Sequence, residues 1–202
     1  MNYLFPLLPA PGADDDCSGT VSILEAFRVL AQSGYIPDTP VEFHWYAAEE
    51  GGLLGSQRIA RYKKESNTAI SAMMEFDMTA YVARNATESI GLISTQADAA
   101  LTNWTADLAR EYISIPVGIY ELGPYAGSDY MSFTQNKYPA AFASEGDPLA
   151  GGKFPGDYDP YVHGVNDTMN VNDDKGYFSL DVSSTSSFWD STNNEIAYGS
   201  FY

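Results

Sequence analysis

At 202 residues the chain is long enough to bury one sizeable core, and it reads as a single domain over residues 1–202. Hydrophobic residues at 45% and aromatics at 14% exclude a disordered chain. A net charge of −17, from 27 acidic and 10 basic residues, repels phosphate backbones, excludes nucleic acid as a natural partner and favours cations.

The first residues, Met1 to Pro9, are apolar but lack a basic n-region and hold two prolines, so they make a poor signal peptide. No apolar run reaches the roughly 18 residues that span a bilayer, so no membrane partner is expected. Pro11-Gly12-Ala13 then lead into Asp14-Asp15-Asp16. Three adjacent carboxylates repel one another unless a cation sits among them; alone, the triplet also suits a solvated loop with one aspartate capping a helix. Cys17 is the one cysteine, which excludes an internal disulfide framework.

A helix is predicted over 18–33, with Ile23, Phe27 and Leu30 on one face and Leu24 and Ala31 beside them. Ser18 or Asp16 is its expected cap and Gly34 its stop. The run VEFHWYA (41–47) reads as a buried strand, with His44 a packed structural residue. It emerges into Glu49-Glu50 before Gly51-Gly52. Adjacent side chains point different ways, so one carboxylate can bind a metal while the other faces a water; a pair of acids favoured at a helix start is the alternative.

A helix follows over 53–64 and a strand over 69–76, closed by Asp77. A third strand is expected over 89–94 and a helix with Leu101, Trp104, Leu108 and Tyr112 on its buried face. Strands over 117–121 and 140–143 flank a short helix at about 128–136. His163 follows the irregular stretch 151–161, the kind of long loop that often carries function. Asn85, Asn103 and Asn166 each begin an Asn-x-Thr triplet, a weak pointer to a secretory route.

Strands alternating with helices predict an α/β fold, a three-layer arrangement of a mostly parallel mixed sheet covered on both faces. Ligand sites of such sheets gather at the carboxyl ends of strands, where Asp14–Asp16, Glu49-Glu50 and Asp77 fall. With His163 they make the oxygen-plus-imidazole set that divalent metals of zinc type select, and a neighbouring carboxylate would be the general base. Metal-assisted hydrolysis is the chemistry this set implies.

With those residues in place, the chain resembles the leucyl-type co-catalytic zinc aminopeptidases of bacteria and fungi, and more particularly the fungal secreted branch. The likeness rests on APGADDDCSG (10–19), YAAEEGGLLGSQ (46–57), EFDMT (75–79), PYAGSD (124–129), YPAAF (138–142) and the segment 159–169. It implies an extracellular, monomeric peptide hydrolase with about eight strands and two zinc ions, and peptides as its substrates. Asp15 matches the carboxylate bridging both metals, Glu50 and His163 the other ligands of one, and Asp77 a ligand of the second. Glu49 matches the general base and Tyr125 a residue stabilising the oxyanion. Ser128 is expected to orient a ligand, and Met78, Ile93, Phe142 and Val162 to wall an apolar pocket for the first side chain.

The family pattern also implies a histidine two residues before an aspartate, upstream of the Asp14–Asp16 loop. This sequence contains no such residue, so it is expected to be N-terminally truncated and its activity impaired. Gly123 and Gly127 stand where some members carry paired cysteines. After Leu180 the polar stretch 182–187 replaces the family's apolar closing helix, leaving Ile196, Ala197 and Tyr198 to be buried. A single-zinc acyltransferase of the glutaminyl-cyclase type, and a catalytically inactive peptide-binding fragment, are the competing readings.

Overall fold

Asp16 starts the first helix. In the computed structural model, which describes residues 11–123, 126–171 and 174–179 and the backbone of 197–200, its side chain accepts from Gly19 N at 3.0 Å. Helix α1 (Cys17–Ser33) ends at Gly34, whose φ of 72° is the left-handed conformation that stops a helix cheaply. Ile23 and Leu30 are buried as expected, but Phe27 and Leu24 are not. The inward face is narrower than the apolar stripe, running through Gly19, Ser22, Ile23 and Leu30.

The elements then follow as β1 (Trp45–Tyr46), α2 (Leu54–Glu65), β2 (Met73–Phe76), β3 (Tyr81–Ala83), β4 (Ile90–Ile93) and α3 (Ala99–Tyr112). After these come β5 (Val117–Tyr120), α4 (Tyr130–Gln135), β6 (Ala140–Glu145), a 3-10 turn (Ala150–Gly152), β7 (Gly176–Phe178) and β8 (Ala197–Ser200). The main sheet runs β1-β8-β2-β6-β4-β5, and β3 pairs with β7 in a separate two-stranded ribbon. All neighbours in the main sheet are parallel except β4 with β6. The expected mixed, mostly parallel α/β sheet is the one observed.

Alternation along the central strands explains the layers. Met73, Ile93, Ala140 and Phe142 face a core shared with Ala60 of α2 and Tyr130 and Phe133 of α4. Met74, Leu92, Ala141 and Ala143 point the other way, onto Ile23 of α1 and Ala106 of α3.

Three expectations need correction. Only Trp45 and Tyr46 of the run 41–47 join a ladder, at the edge of the described sheet, and most of that run is half-buried. Helix α3 packs through Thr102, Thr105, Ala106 and Ala109, leaving Tyr112 52% and Trp104 36% exposed. Small side chains let this helix lie close on the sheet, and the large apolar ones are displaced outward. The ribbon β3–β7 is an addition to the expected elements, because three-residue strands show too little alternation to register in a sequence. The polar stretch 182–187 lies outside the described residues, and β8 runs between β1 and β2.

Candidate metal centre

The three consecutive aspartates divide their work. Asp14 turns inward, its Oδ1 accepting from Ala80 N at 3.1 Å. Asp16 also turns inward, its Oδ1 accepting from Met78 N at 3.2 Å as well as capping α1. Both are buried, and burial drives both acids up, Asp14 to about 7. Asp15, between them, faces the opposite way, towards His163. The docking of this loop on the end of β2 needs a glycine: a Cβ at Gly19 would lie 2.1 Å from the carbonyl oxygen of Phe76.

Glu49 and Glu50 leave β1 in a turn whose carbonyl at Glu49 accepts from Gly52 N and Leu53 N. Asp77 closes β2. These carboxylates therefore sit at the carboxyl ends of strands, where ligand sites of open α/β sheets form. His163 arrives on the turn that follows Asp159. Ala48, Met78 and His163 all have positive φ (60°, 52° and 61°). Left-handed backbone at non-glycine residues costs about 1–3 kcal/mol each and persists only where surrounding contacts hold it.

One ligand atom each from Asp15, Glu50 and His163 lies within 4.8 Å of the others. His163 Nε2 is 2.8 Å from Glu50 Oε1 and 3.2 Å from Asp15 Oδ2. Donors about 2.1 Å from a tetrahedral ion stand roughly 3.4 Å apart, so this trio needs little movement to hold a divalent cation. Without one, hydrogen bonds to Asp15 and then Glu50 raise the imidazole to about 10, so a proton fills the role a cation would take.

A cleft of about 270 Å³ is lined by this trio together with Glu49, Asp77 and Ser128. Burial first, then the charges of Asp77 and Asp129, lifts Glu49 to about 8. Burial and the Asp15 charge push Asp77 upward as well. Ser128 donates to Asp77 Oδ2 at 2.7 Å and to Glu75 Oε1 at 3.1 Å. Asp77 Oδ1 is buried with no hydrogen-bond partner among the described residues, an acceptor that a cation would satisfy.

Met78, Phe142 and Val162 line the same cleft. Ile93 does not: it shares the face of its cross-strand partner Phe142 but is fully buried within the core there. Leu122, Phe154 and Tyr158 line the cleft in addition; their loops carry no periodicity that would have marked them. Tyr125, expected at the oxyanion, lies outside the described residues. His44 is a structural residue, bonded to Glu42 at 2.8 Å and to Tyr46 at 3.1 Å. No helix among the described residues is long and apolar enough to cross a membrane.

Comparison with known proteins gives a consistent picture. Residues 4–178 match the family model for Peptidase family M28. Leucine aminopeptidase 1 of Ajellomyces dermatitidis is 47% identical over 151 residues, covering 71% of this chain and 39% of that protein. Leucine aminopeptidase 1 of Fusarium vanettenii is 42% identical over 177 residues, covering 83% of this chain and 43% of that protein. The LapA aminopeptidase of Legionella pneumophila superposes with a TM-score of 0.74 at 35% identity, over 88% of this chain and 44% of its own. A zinc aminopeptidase of Bacillus subtilis shares the fold, with a TM-score of 0.67 at 21% identity over 88% of this chain and 41% of its own. The chain thus spans about two fifths of the length of the curated relatives it matches.

Proposed function

The chain belongs to peptidase family M28, and we propose that it carries the zinc centre of an aminopeptidase that removes apolar residues from peptide amino termini. The observation that carries this reading is the convergence of Asp15, Glu50 and His163 within 4.8 Å beside a cleft that also holds Glu49. Zinc is named on the chemistry of two carboxylates and an imidazole, and the Bacillus subtilis neighbour is a zinc aminopeptidase. Asp15, Glu50 and His163 would hold one ion; Asp15 and Asp77 would face a second.

A bound ion would supply Lewis-acid polarisation of the scissile carbonyl and lower the pKa of a water in the cleft. Glu49 takes the proton of the attacking water and returns it to the leaving amine. Its position suits that role, being adjacent in sequence to Glu50, half-buried and on the wall of the cleft. Ser128 holds Asp77 in place by hydrogen bonding. Tyr125 is proposed to donate to the developing oxyanion.

Met78, Phe142 and Val162, joined by Leu122 and Phe154, give the cleft an apolar wall suited to a leucine-like side chain. The acidic floor attracts the substrate's protonated α-amine. We also propose an extracellular location for the parent protein, supported by the resemblance to the secreted fungal branch and by the Asn-x-Thr triplets at Asn85, Asn103 and Asn166.

The test mixes the zinc-loaded chain with leucine-p-nitroanilide and, separately, with a peptide beginning in glutamine. Release of nitroaniline that stops on chelation is expected. Pyroglutamate formation in its place would support the single-zinc acyltransferase, and no product from either substrate would support an inactive binding fragment.

A further inference from the structure

His163 is not the only contribution of its turn to the candidate centre. Four residues on, Asp167 is 1% exposed. Its Oδ1 accepts from Asp14 N at 2.8 Å and its Oδ2 from Asp15 N at 3.1 Å. Its carbonyl accepts from Ala13 N at 3.3 Å. Three successive amides of the aspartate loop are therefore directed at one residue, the geometry of a backbone anion nest. Asp167 N in turn donates to Gly164 O at 3.3 Å, and Gly164 N to Tyr161 O at 2.8 Å, which folds 161–167 into one tight turn.

The turn thus grips the aspartate loop twice. His163 Nε2 meets the Asp15 side chain at 3.2 Å, and Asp167 meets the Asp15 backbone. We infer that Asp167 is the positioning residue of the centre: it fixes the Asp14 and Asp15 amides, and so the direction of the Asp15 side chain relative to His163. It touches no reacting atom. Hydrogen bonds from amides to a charged, buried acceptor are the strong kind. The inference rests on the proposed metal-binding role of Asp15 and His163.

Replacement Asp167→Asn keeps the shape but presents an NH₂ group to one of the two amides. Cobalt(II) and zinc affinity are read by calorimetry on the full chain, with the cobalt absorption spectrum reporting ligand geometry and the melting temperature of the metal-free protein reporting stability. The expected result is a loss of metal affinity of about 10–100-fold with an altered cobalt spectrum. Asp167→Glu, which keeps both acceptor oxygens, is expected to recover part of that loss. Asp98→Ala is the control: Asp98 Oδ1 caps α3 by accepting from Leu101 N at 2.8 Å, so its loss lowers stability but leaves metal affinity unchanged.

An Asp167→Asn chain binding as tightly as the unmodified one, or an Asp98→Ala chain losing as much affinity, overturns the inference alone. An unmodified chain that binds neither metal overturns the metal reading and this inference with it. Should Asp167→Asn fail to fold, hydrogen exchange in the unmodified chain decides: Asp14 and Asp15 amides are expected to exchange slowly, and exchange at the rate of open loops would overturn the strap.

Discussion

The two walls of the cleft treat negative charge in opposite ways. On one, Asp15 and Glu50 meet the imidazole of His163, and the protein supplies its own positive counterpart. On the other, burial and then the charges of Asp77 and Asp129 raise Glu49, and burial and then the charge of Asp15 raise Asp77. Burial and the charge of Asp129 raise the fully buried Glu75 behind them. That wall holds its acids with hydrogen bonds from Ser128 and Tyr130 N, which orient carboxyl groups without neutralising them. The difference teaches how the site can fold before any ion arrives: one wall borrows a proton on a histidine, the other keeps protons on its own acids. A divalent cation replaces both devices at once.

The sharpest break in this contrast comes from paired replacements. Glu49→Gln is expected to lower kcat by about 10²–10⁴-fold, the range for losing a general base, while zinc still binds. In the metal-free state the same change is neutral below about pH 4.5 and raises the melting temperature increasingly from there to about pH 8, because it removes an acid that resists ionisation in the fold. His163→Ala is expected to act oppositely on stability, lowering the metal-free melting temperature. Its loss of zinc affinity should exceed the roughly 100-fold that removing an outer partner costs. If both variants moved metal-free stability in the same direction above pH 8, the contrast between the walls would fail.

The pH dependence follows with its sign. His163, raised to about 10, contributes stability that is fully present below its ordinary 6.5 and is lost as pH rises through 10. Glu49, raised to about 8, binds its proton more tightly folded than unfolded, so its contribution fades between its ordinary 4.5 and 8. The metal-free protein should therefore lose stability steadily from mildly acid to alkaline pH. Zinc displaces these protons, so the rise in melting temperature on adding zinc should grow over the same interval. A zinc effect independent of pH between about 6 and 9 would contradict this. The smallest effect expected is that of Ser128→Ala, a fall in zinc affinity or activity of about tenfold through misorientation of Asp77, checked by calorimetry and by kcat.

Much of this is legible in the chain itself. The strand-end rule points to Glu49, Glu50 and Asp77, which follow β1 and β2 in the structure. Helix ends at Asp16 and Gly34 are visible because capping chemistry is local. What stays hidden depends on distance in space. Ile93 reads as a pocket wall because its strand and face are plain, but its burial beside Phe142 depends on neighbours distant in the sequence. Asp167 carries no local signal, since the amides it accepts lie 152 and 153 residues away. The buried face of α3 departs from its apolar stripe because Thr102, Thr105, Ala106 and Ala109 pack where larger side chains are expected.

The central claim is that Asp15, Glu50 and His163 grip a single divalent ion together. X-ray absorption at the zinc edge of the loaded chain tests it directly, alongside the same measurement on His163→Ala. The account predicts tight zinc with one imidazole nitrogen and carboxylate oxygens at about 2.0–2.2 Å, and loss of the imidazole signal in the variant. Zinc held without any imidazole, or held identically after His163 is removed, would contradict it.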